Sequence, residues 1–461
     1  MKTEPDTQLE QFREQVYQSF PRCADALLEL LDALCSQTNA RSVAELSLEP
    51  PFRRTYNSVY RAIDGLGTGR RAERERLRLV AGYMAQPQAQ ACWLFGTDST
   101  SAPRRFARTL EDRGFVYQPN TLKGNKPVTI GHRYSVIAHL PEKAAGDPAW
   151  VVPLMVRRVT TQETEVEVAL DQLAILMDDE DLPWHGELSV QVADSRYSTP
   201  HYLAAAAAYE NLVTIARLRS NRTLYRQPPP VEGQRPRGHP TWYGEPFRLG
   251  DPATWQEPDE VVEVQHTSRR GRAYTIRIEA WHNMLMSGTR SAPMHRHPFT
   301  LLRIVWLDEA GQPAFKRPIW LAVSGQRRCQ LAEVQIRQAY AQRYDLEHFF
   351  RFGKQQLLLT AYQTPQVQRE ENWWQLVQLA YLQLWLARDL VETLPRPWER
   401  YLPQADGKLA SPSAAQRGFG RIVRQFGTPA VPPKPRGYSP GRARGTRLPP
   451  RERLAVVKKT A

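Results

Sequence analysis

Apolar residues recur every three to four positions from Ala24 to Leu34 (ADALLELLDAL) and again from Ala72 to Ala81, with Pro50–Pro51 between them. That spacing predicts a helical segment over the first 85 or so residues. From Cys92 the period changes. Cys92–Phe95 is a short apolar run that reads as a buried strand, ending at Gly96-Thr97-Asp98-Ser99-Thr100. Tyr134–Leu140 and Trp150–Val156 read as two further strands, and Thr164–Met177 as a helix. Glu187–Ala193 is predicted to be the fourth strand and, like the first, runs into an acid, Asp194. Pro200–Tyr209 reads as a helix with proline near its first turn, and Leu212–Leu218 as a fifth strand. Strands interleaved with helices in this order predict an α/β layer fold with a mixed sheet.

The alternation then breaks. A Pro/Arg-rich loop (QPPPVEGQRPRGHP) precedes three alternating runs, Val261–Gln265, Tyr274–Trp281 and Thr300–Trp306, with no helix between them. They read as a β-rich insertion. The α/β texture resumes at Ile319–Ser324, followed by Leu331–Leu359, which has no proline and a single glycine and is predicted to be one long helix. Asn372–Leu394 carries the apolar spacing of a buried helix, with Trp373, Trp374 and Trp385 as core residues. The predicted divisions are a helical segment at 1–88, a first α/β core part at 89–220, the insertion at 221–315, a second α/β core part at 316–400 and a tail at 401–461. From Pro429 the tail is rich in Pro, Gly and Arg and is expected to be disordered alone, since it cannot bury enough apolar surface to offset chain entropy.

Composition adds two constraints. No apolar run reaches the roughly 18 residues of a membrane span, and the N-terminus has no apolar signal core. The four cysteines are scattered without a CxxC pair, which suits reduced thiols in a cytoplasmic protein rather than a disulfide framework or zinc site. Of the formal net charge of +14, the segment from Arg417 onward carries +11, from twelve Lys/Arg against Glu452. Such a tail suits a polyanion, most simply nucleic acid. Arg53, Arg54, Arg61, Arg70, Arg71, Arg74, Arg76 and Arg78 make the second half of the N-terminal segment basic. They read either as solvated surface or as a DNA-end-binding face.

The candidate chemistry lies on the Leu331–Leu359 helix. Tyr340, Arg343, Glu347 and Lys354 fall within an arc of about 60° at roughly 100° per residue, a polar stripe about 21 Å long. An acid flanked by cations on one face is either a set of spaced surface ion pairs or a metal-binding carboxylate with phosphate clamps around it. Two further acids decide between these readings: Asp98 at the end of the first strand and Asp194 at the end of the fourth. In an RNase H-like sheet those strands lie side by side and a helix crosses their ends, which would bring Asp98, Asp194 and Glu347 together. Carboxylates without accompanying Cys or His suit Mg²⁺ or Mn²⁺ over zinc, and two such ions can act on a phosphodiester.

The spacing Tyr340-x2-Arg343-x3-Glu347-x6-Lys354 resembles the YREK signature of bacterial insertion-sequence transposases of the DDE class. Thr97-Asp98-Ser99-Thr100 and Val192-Ala193-Asp194-Ser195-Arg196-Tyr197 look like the first and second acid motifs of that group, and a β-rich insertion before the Glu is similar to theirs. The resemblance spans roughly residues 90 to 395. It implies a metal-dependent transposase with an RNase H-like catalytic domain, acting on double-stranded DNA as a homodimer assembled on its DNA ends. Asp98, Asp194 and Glu347 would be the catalytic, metal-binding acids. Tyr340, Arg343 and Lys354 would grip phosphates. Trp320, on the strand before the helix, is either core or an aromatic that holds a flipped base. Arg217, Arg219 and Arg222 (in ARLRSNR), at the exit of the fifth strand, read either as a phosphate-binding lining near the site or as a solvated loop. The alternatives are a domesticated DNA-binding protein without activity and an RNase H-like nuclease without strand transfer.

Overall fold

The computed structural model describes residues 4–67, 69–118, 126–230, 242–268, 270–393, 409–435, 441, 443–447 and 449–458. Most of the Pro/Arg-rich loop falls in 231–241, outside the described residues.

The helical periodicity of the N-terminal segment is realised as α1 (Glu4–Ser19), α2 (Ala24–Ser36), α3 (Tyr56–Gly65) and α4 (Arg70–Ala81). Their apolar faces, including Leu27, Leu31, Val59, Ile63 and Leu77, are buried in the same core as Trp373 and Trp374. Those tryptophans belong to α9 (Val367–Leu386), against which α1, α2 and α3 pack. The N-terminal arginines are largely paired. Arg53 and Arg54 meet the buried Glu29, Arg70 meets Asp171, Arg71 meets Glu75, and Arg78 meets Asp179 and Asp181. Much of this apparent basic face therefore fastens the helices to their neighbours.

The strands are β1 (Trp93–Pro103), β2 (Gly114–Tyr117), β3 (Val128–His139), β4 (Val152–Val159), β5 (Ser189–Ala193), β6 (Leu212–Leu218), β7 (Thr223–Tyr225), β8 (Pro246–Arg248), β9 (Glu260–Thr267), β10 (Ala273–Met286), β11 (Phe299–Leu307) and β12 (Ile319–Ser324). They form one mixed sheet of twelve strands. β1 is antiparallel to β3 and parallel to β5, and β5 is parallel to β6, an order consistent with an RNase H-like sheet. The β-rich region is hydrogen-bonded to this core: β12 pairs antiparallel with β6 on one side and β11 on the other, and β10 follows. Between the strands lie α5 (Glu165–Asp178) and α6 (Pro200–Ala206). Thr164 closes the first turn of α5 by a capping box with Glu167.

Three expectations are corrected. The first strand does not stop at Phe95. It continues through Asp98 to Pro103, because the polar residues after Phe95 stay paired with β3 even beyond Thr97, where the pairing with β5 ends. The Leu331–Leu359 stretch is two helices, α7 (Glu333–Gln342) and α8 (Tyr344–Gln356). The chain tightens at Arg343, whose amide reaches back to the Tyr340 carbonyl, while the Leu346 amide reaches the Arg343 carbonyl. These are i to i+3 bonds, the tighter 3₁₀ pattern. Finally, the tail is ordered where it is described. After α10 (Leu390–Thr393), α11 (Pro412–Phe426) buries Ala415, Phe419 and Ile422 and packs on α2 and α9. Further on, the Leu454 and Val457 amides donate to the Arg108 and Arg113 carbonyls.

Candidate active site

The pairing register of β1 and β5 sets the site. Their last paired residues are Thr97 and Ala193, so Asp98 and Asp194 are the next residues on two adjacent parallel strands. Neighbouring strands lie about 4.8 Å apart, which places both carboxylates at one level of the sheet. Thr97 points the other way, into the core, where its hydroxyl accepts from Gln191 Nε2 at 2.6 Å; Gln191 Oε1 in turn accepts from the Tyr202 hydroxyl at 2.8 Å. This buried chain fixes the strand ends from below.

Alternation along β1 puts Gly96 and Asp98 on the same face. A Cβ at Gly96 would lie 2.7 Å from Leu346 Cδ1. The glycine thus lets α8 settle on the sheet with Leu346 buried, and the next residue, Glu347, reaches the rim of the site.

Arg343 stands between the acids. Its Nη1 donates to Asp98 Oδ2 at 3.1 Å and its Nη2 to Glu347 Oε1 at 3.0 Å. Burial pushes the Asp98 carboxyl up to about 6; Arg343 opposes that shift and Asp194 adds to it. Burial works against the charge of Arg343, but Asp98, Tyr340 and Glu347 more than compensate, so its pKa is raised. Tyr340 is buried beneath it, with the guanidinium carbon 5.9 Å from the ring centre. Lys354, at the far end of α8, donates from Nζ to Thr100 Oγ1 at 2.6 Å, and burial lowers its pKa against the pull of Asp98.

The three acids do not form a closed cage. Among the described residues, the group of three ligand-type side chains whose donor atoms all lie within 4.8 Å of one another is Glu260, His282 and Glu333, at the junction of β9, β10 and α7. Glu347 approaches Asp98 across the Arg343 guanidinium. The donor set at Asp98, Asp194 and Glu347 is nonetheless all hard oxygen, which fits Mg²⁺ or Mn²⁺.

Residues to which the sequence assigned no role also build the site. Arg196, in the second acid motif, donates from Nη1 to Ser99 Oγ at 2.6 Å and pairs with Glu165 at 3.4 Å. Its amide donates to Asp194 Oδ1 at 2.8 Å. Arg196 therefore ties the two Asp motifs together, and Thr100 anchors Lys354. Both residues stand in the quoted motifs, and their proximity to the acids was the available signal. Glu165 opens α5 and carries no local signal at all.

The remaining sequence-predicted residues divide. Arg219 Nε reaches Ser195 Oγ at 3.4 Å and Arg222 Nη2 the Ser198 carbonyl at 3.4 Å, so both support the loop after Asp194. Arg217 is exposed on β6. Arg217 and Arg219, with Ser195, Trp255, Arg303 and Lys316, line a basic cavity of about 750 Å³ that begins beside Asp194. Trp320 takes the core placement of its two readings: it is 2 % exposed and packs with Phe247, Trp255 and Trp281 in a second core cluster. Its neighbours on β6 and β11 are Leu218 and Arg303, its ring meets Phe247, Trp255 and Trp281, and it borders the same basic cavity. Trp255, half-buried, carries the Arg303 guanidinium 4.8 Å from its ring centre.

A search of curated proteins returns no match to this chain. The profile of a family described as "DDE superfamily endonuclease" matches residues 15–288. The match takes in Asp98, Asp194 and the N-terminal helices from α1 onward, and ends before Glu347. With more than half of its length covered, the chain belongs to the DDE superfamily endonucleases.

Proposed function

We propose that the protein is an insertion-sequence transposase of the YREK type that cuts DNA at the element's ends and joins the freed strand to target DNA. The observation that carries this reading is the convergence of Asp98 and Asp194, from adjacent parallel strands, with Glu347 on α8 above them. In this reading Asp98, Asp194 and Glu347 hold two divalent ions, Mg²⁺ or Mn²⁺. When bound, such ions stabilise charge on the phosphodiester oxygens and lower the pKa of water. Asp98 and Asp194 at the strand ends, and Glu347 from the helix side, would hold the ions against which the reacting phosphate is placed. Arg343 offers a planar fork for a phosphate, and Lys354 a point charge one turn from the end of α8. Arg219 and Arg217 continue the positive lining from Ser195 toward the basic cavity, a path suited to the DNA backbone. Cutting both ends in one event calls for two copies of the chain on DNA.

Replacing Glu347 by Ala tests the reading on a plasmid carrying the DNA that flanks the gene on both sides. The expected result is loss of strand cleavage with retained DNA binding; full cleavage by the variant would sink it. The same assay separates the nearest rival, a nuclease without strand transfer, because only a transposase yields joined products.

A further inference from the structure

The Arg343 guanidinium lies in the place where an ion shared by Asp98 and Glu347 would sit. Each of its two terminal nitrogens holds one carboxylate at about hydrogen-bond distance, 3.1 Å and 3.0 Å. An ion bound by two carboxylates needs both oxygens at roughly 2.1 Å, so the oxygens can be no more than about 4.2 Å apart. With a guanidinium inserted between them that approach is closed. The donor atoms of Asp98, Asp194 and Glu347 accordingly do not fall into one group within 4.8 Å, whereas those of Glu260, His282 and Glu333 do. Asp98 is mostly buried, with 15 % of its side chain exposed, and a buried carboxylate without a cation is costly. Arg343 is placed to supply that cation and also to leave. It sits at the junction of α7 and α8, where the backbone is bonded i to i+3 on both sides, and its guanidinium stands over the Tyr340 ring.

We propose that Arg343 is the resident counter-cation of the ion-free site, and that divalent-ion binding and DNA binding are coupled through its displacement. This inference rests on the reading that Asp98, Asp194 and Glu347 hold divalent ions. In the free protein an ion must break both carboxylate pairs of Arg343, leaving its charge half-buried without a partner. On DNA a phosphate receives the displaced fork in bidentate fashion, so the same exchange is favourable. Ion and DNA then strengthen each other's binding by one common factor. The protein would thus hold its ions weakly until a DNA strand lies over the site.

The test is Mn²⁺ binding by titration calorimetry to the full chain, with and without a DNA duplex. A His282→Ala background silences the Glu260–His282–Glu333 group. Arg343→Ala and the neutral, similarly long Arg343→Met are compared with Arg343. The expected result is about tenfold tighter Mn²⁺ binding to both variants in the absence of DNA. DNA should then tighten Mn²⁺ binding to the Arg343 protein and leave the variants nearly unchanged. Thermal melting identifies a variant that fails to fold, and either variant alone carries the comparison. Equal or weaker Mn²⁺ binding to the variants would overturn the inference. If Asp98→Asn abolishes Mn²⁺ binding but the Arg343 variants do not alter it, this inference alone fails. If Asp98→Asn leaves Mn²⁺ binding unchanged, the metal-site reading beneath it fails as well.

Discussion

At the scale of single residues, the charge of Asp98 has the most direct physical consequence. Burial raises its carboxyl from 3.8 to about 6. A carboxyl raised in the folded state binds its proton more tightly there than in the unfolded chain. The resulting stabilisation is complete below about pH 4 and disappears as pH rises through about 6; above that the ionised group burdens the fold. A shift of about two units corresponds to about 3 kcal/mol at 1.36 kcal/mol per unit. Asp98→Asn removes that burden but leaves Arg343 with Glu347 alone. In metal-free buffer at pH 7.5 the variant is therefore expected to be more stable in urea by about 1–2 kcal/mol, with the advantage gone near pH 4. A variant that is less stable at pH 7.5, or equally favoured at both values, would contradict the burial argument. That Asp98 and Asp194 stand on neighbouring strands was legible, because each follows a strand-like apolar run and the β1–β5 register sets the two level. Arg343 lying between Asp98 and Glu347 was not, since its position depends on where Gly96 lets α8 settle. Trp320 stayed open in the sequence, because a Trp within IWLAVS fits both a core strand and a ligand platform; the packing of Phe247, Trp255 and Trp281 puts it in a core cluster.

At the scale of elements, β6 and β12 were read to the residue because each is a short, mostly apolar run rich in β-branched residues or aromatics and flanked by polar neighbours. The far half of β1 was not, since GTDSTSAP carries no apolar period and its pairing with β3 is a tertiary matter. β2 was missed as a four-residue edge strand with Phe115 and Tyr117 exposed. The division at Arg343 has neither proline nor glycine to announce it. α11 was hidden by its own charge: Arg417, Arg421 and Arg424 drew attention from Ala415, Phe419 and Ile422, which recur at helical spacing. Phe419→Ala tests its docking. Truncating a fully buried Phe costs about 3–5 kcal/mol, whereas in an unstructured tail it would cost nothing measurable by urea unfolding.

At the scale of the whole molecule, one sheet runs from the candidate acids through β12 into the β-rich region, so the basic cavity beside Asp194 is built by both parts. The N-terminal arginines are largely paired with acids of α2, α4 and the α5 region, and most of the formal net charge lies in the later basic segment. Residues 429–461 hold nine Lys/Arg against Glu452. Deleting them is expected to weaken nonspecific duplex binding and to flatten the dependence of log K on log salt, by about 0.9 for each phosphate that the segment no longer neutralises. An unchanged slope would remove the DNA role of this segment. The central claim is that Asp98, Asp194 and Glu347 hold the divalent ions of a DNA-cutting site, and the most direct measurement is anomalous scattering from Mn²⁺ in crystals of the protein bound to a DNA duplex. The predicted result is density bounded by Asp98 and Asp194, with Arg343 turned away from both carboxylates. Density at Glu260, His282 and Glu333 alone, with none at Asp98, would contradict it.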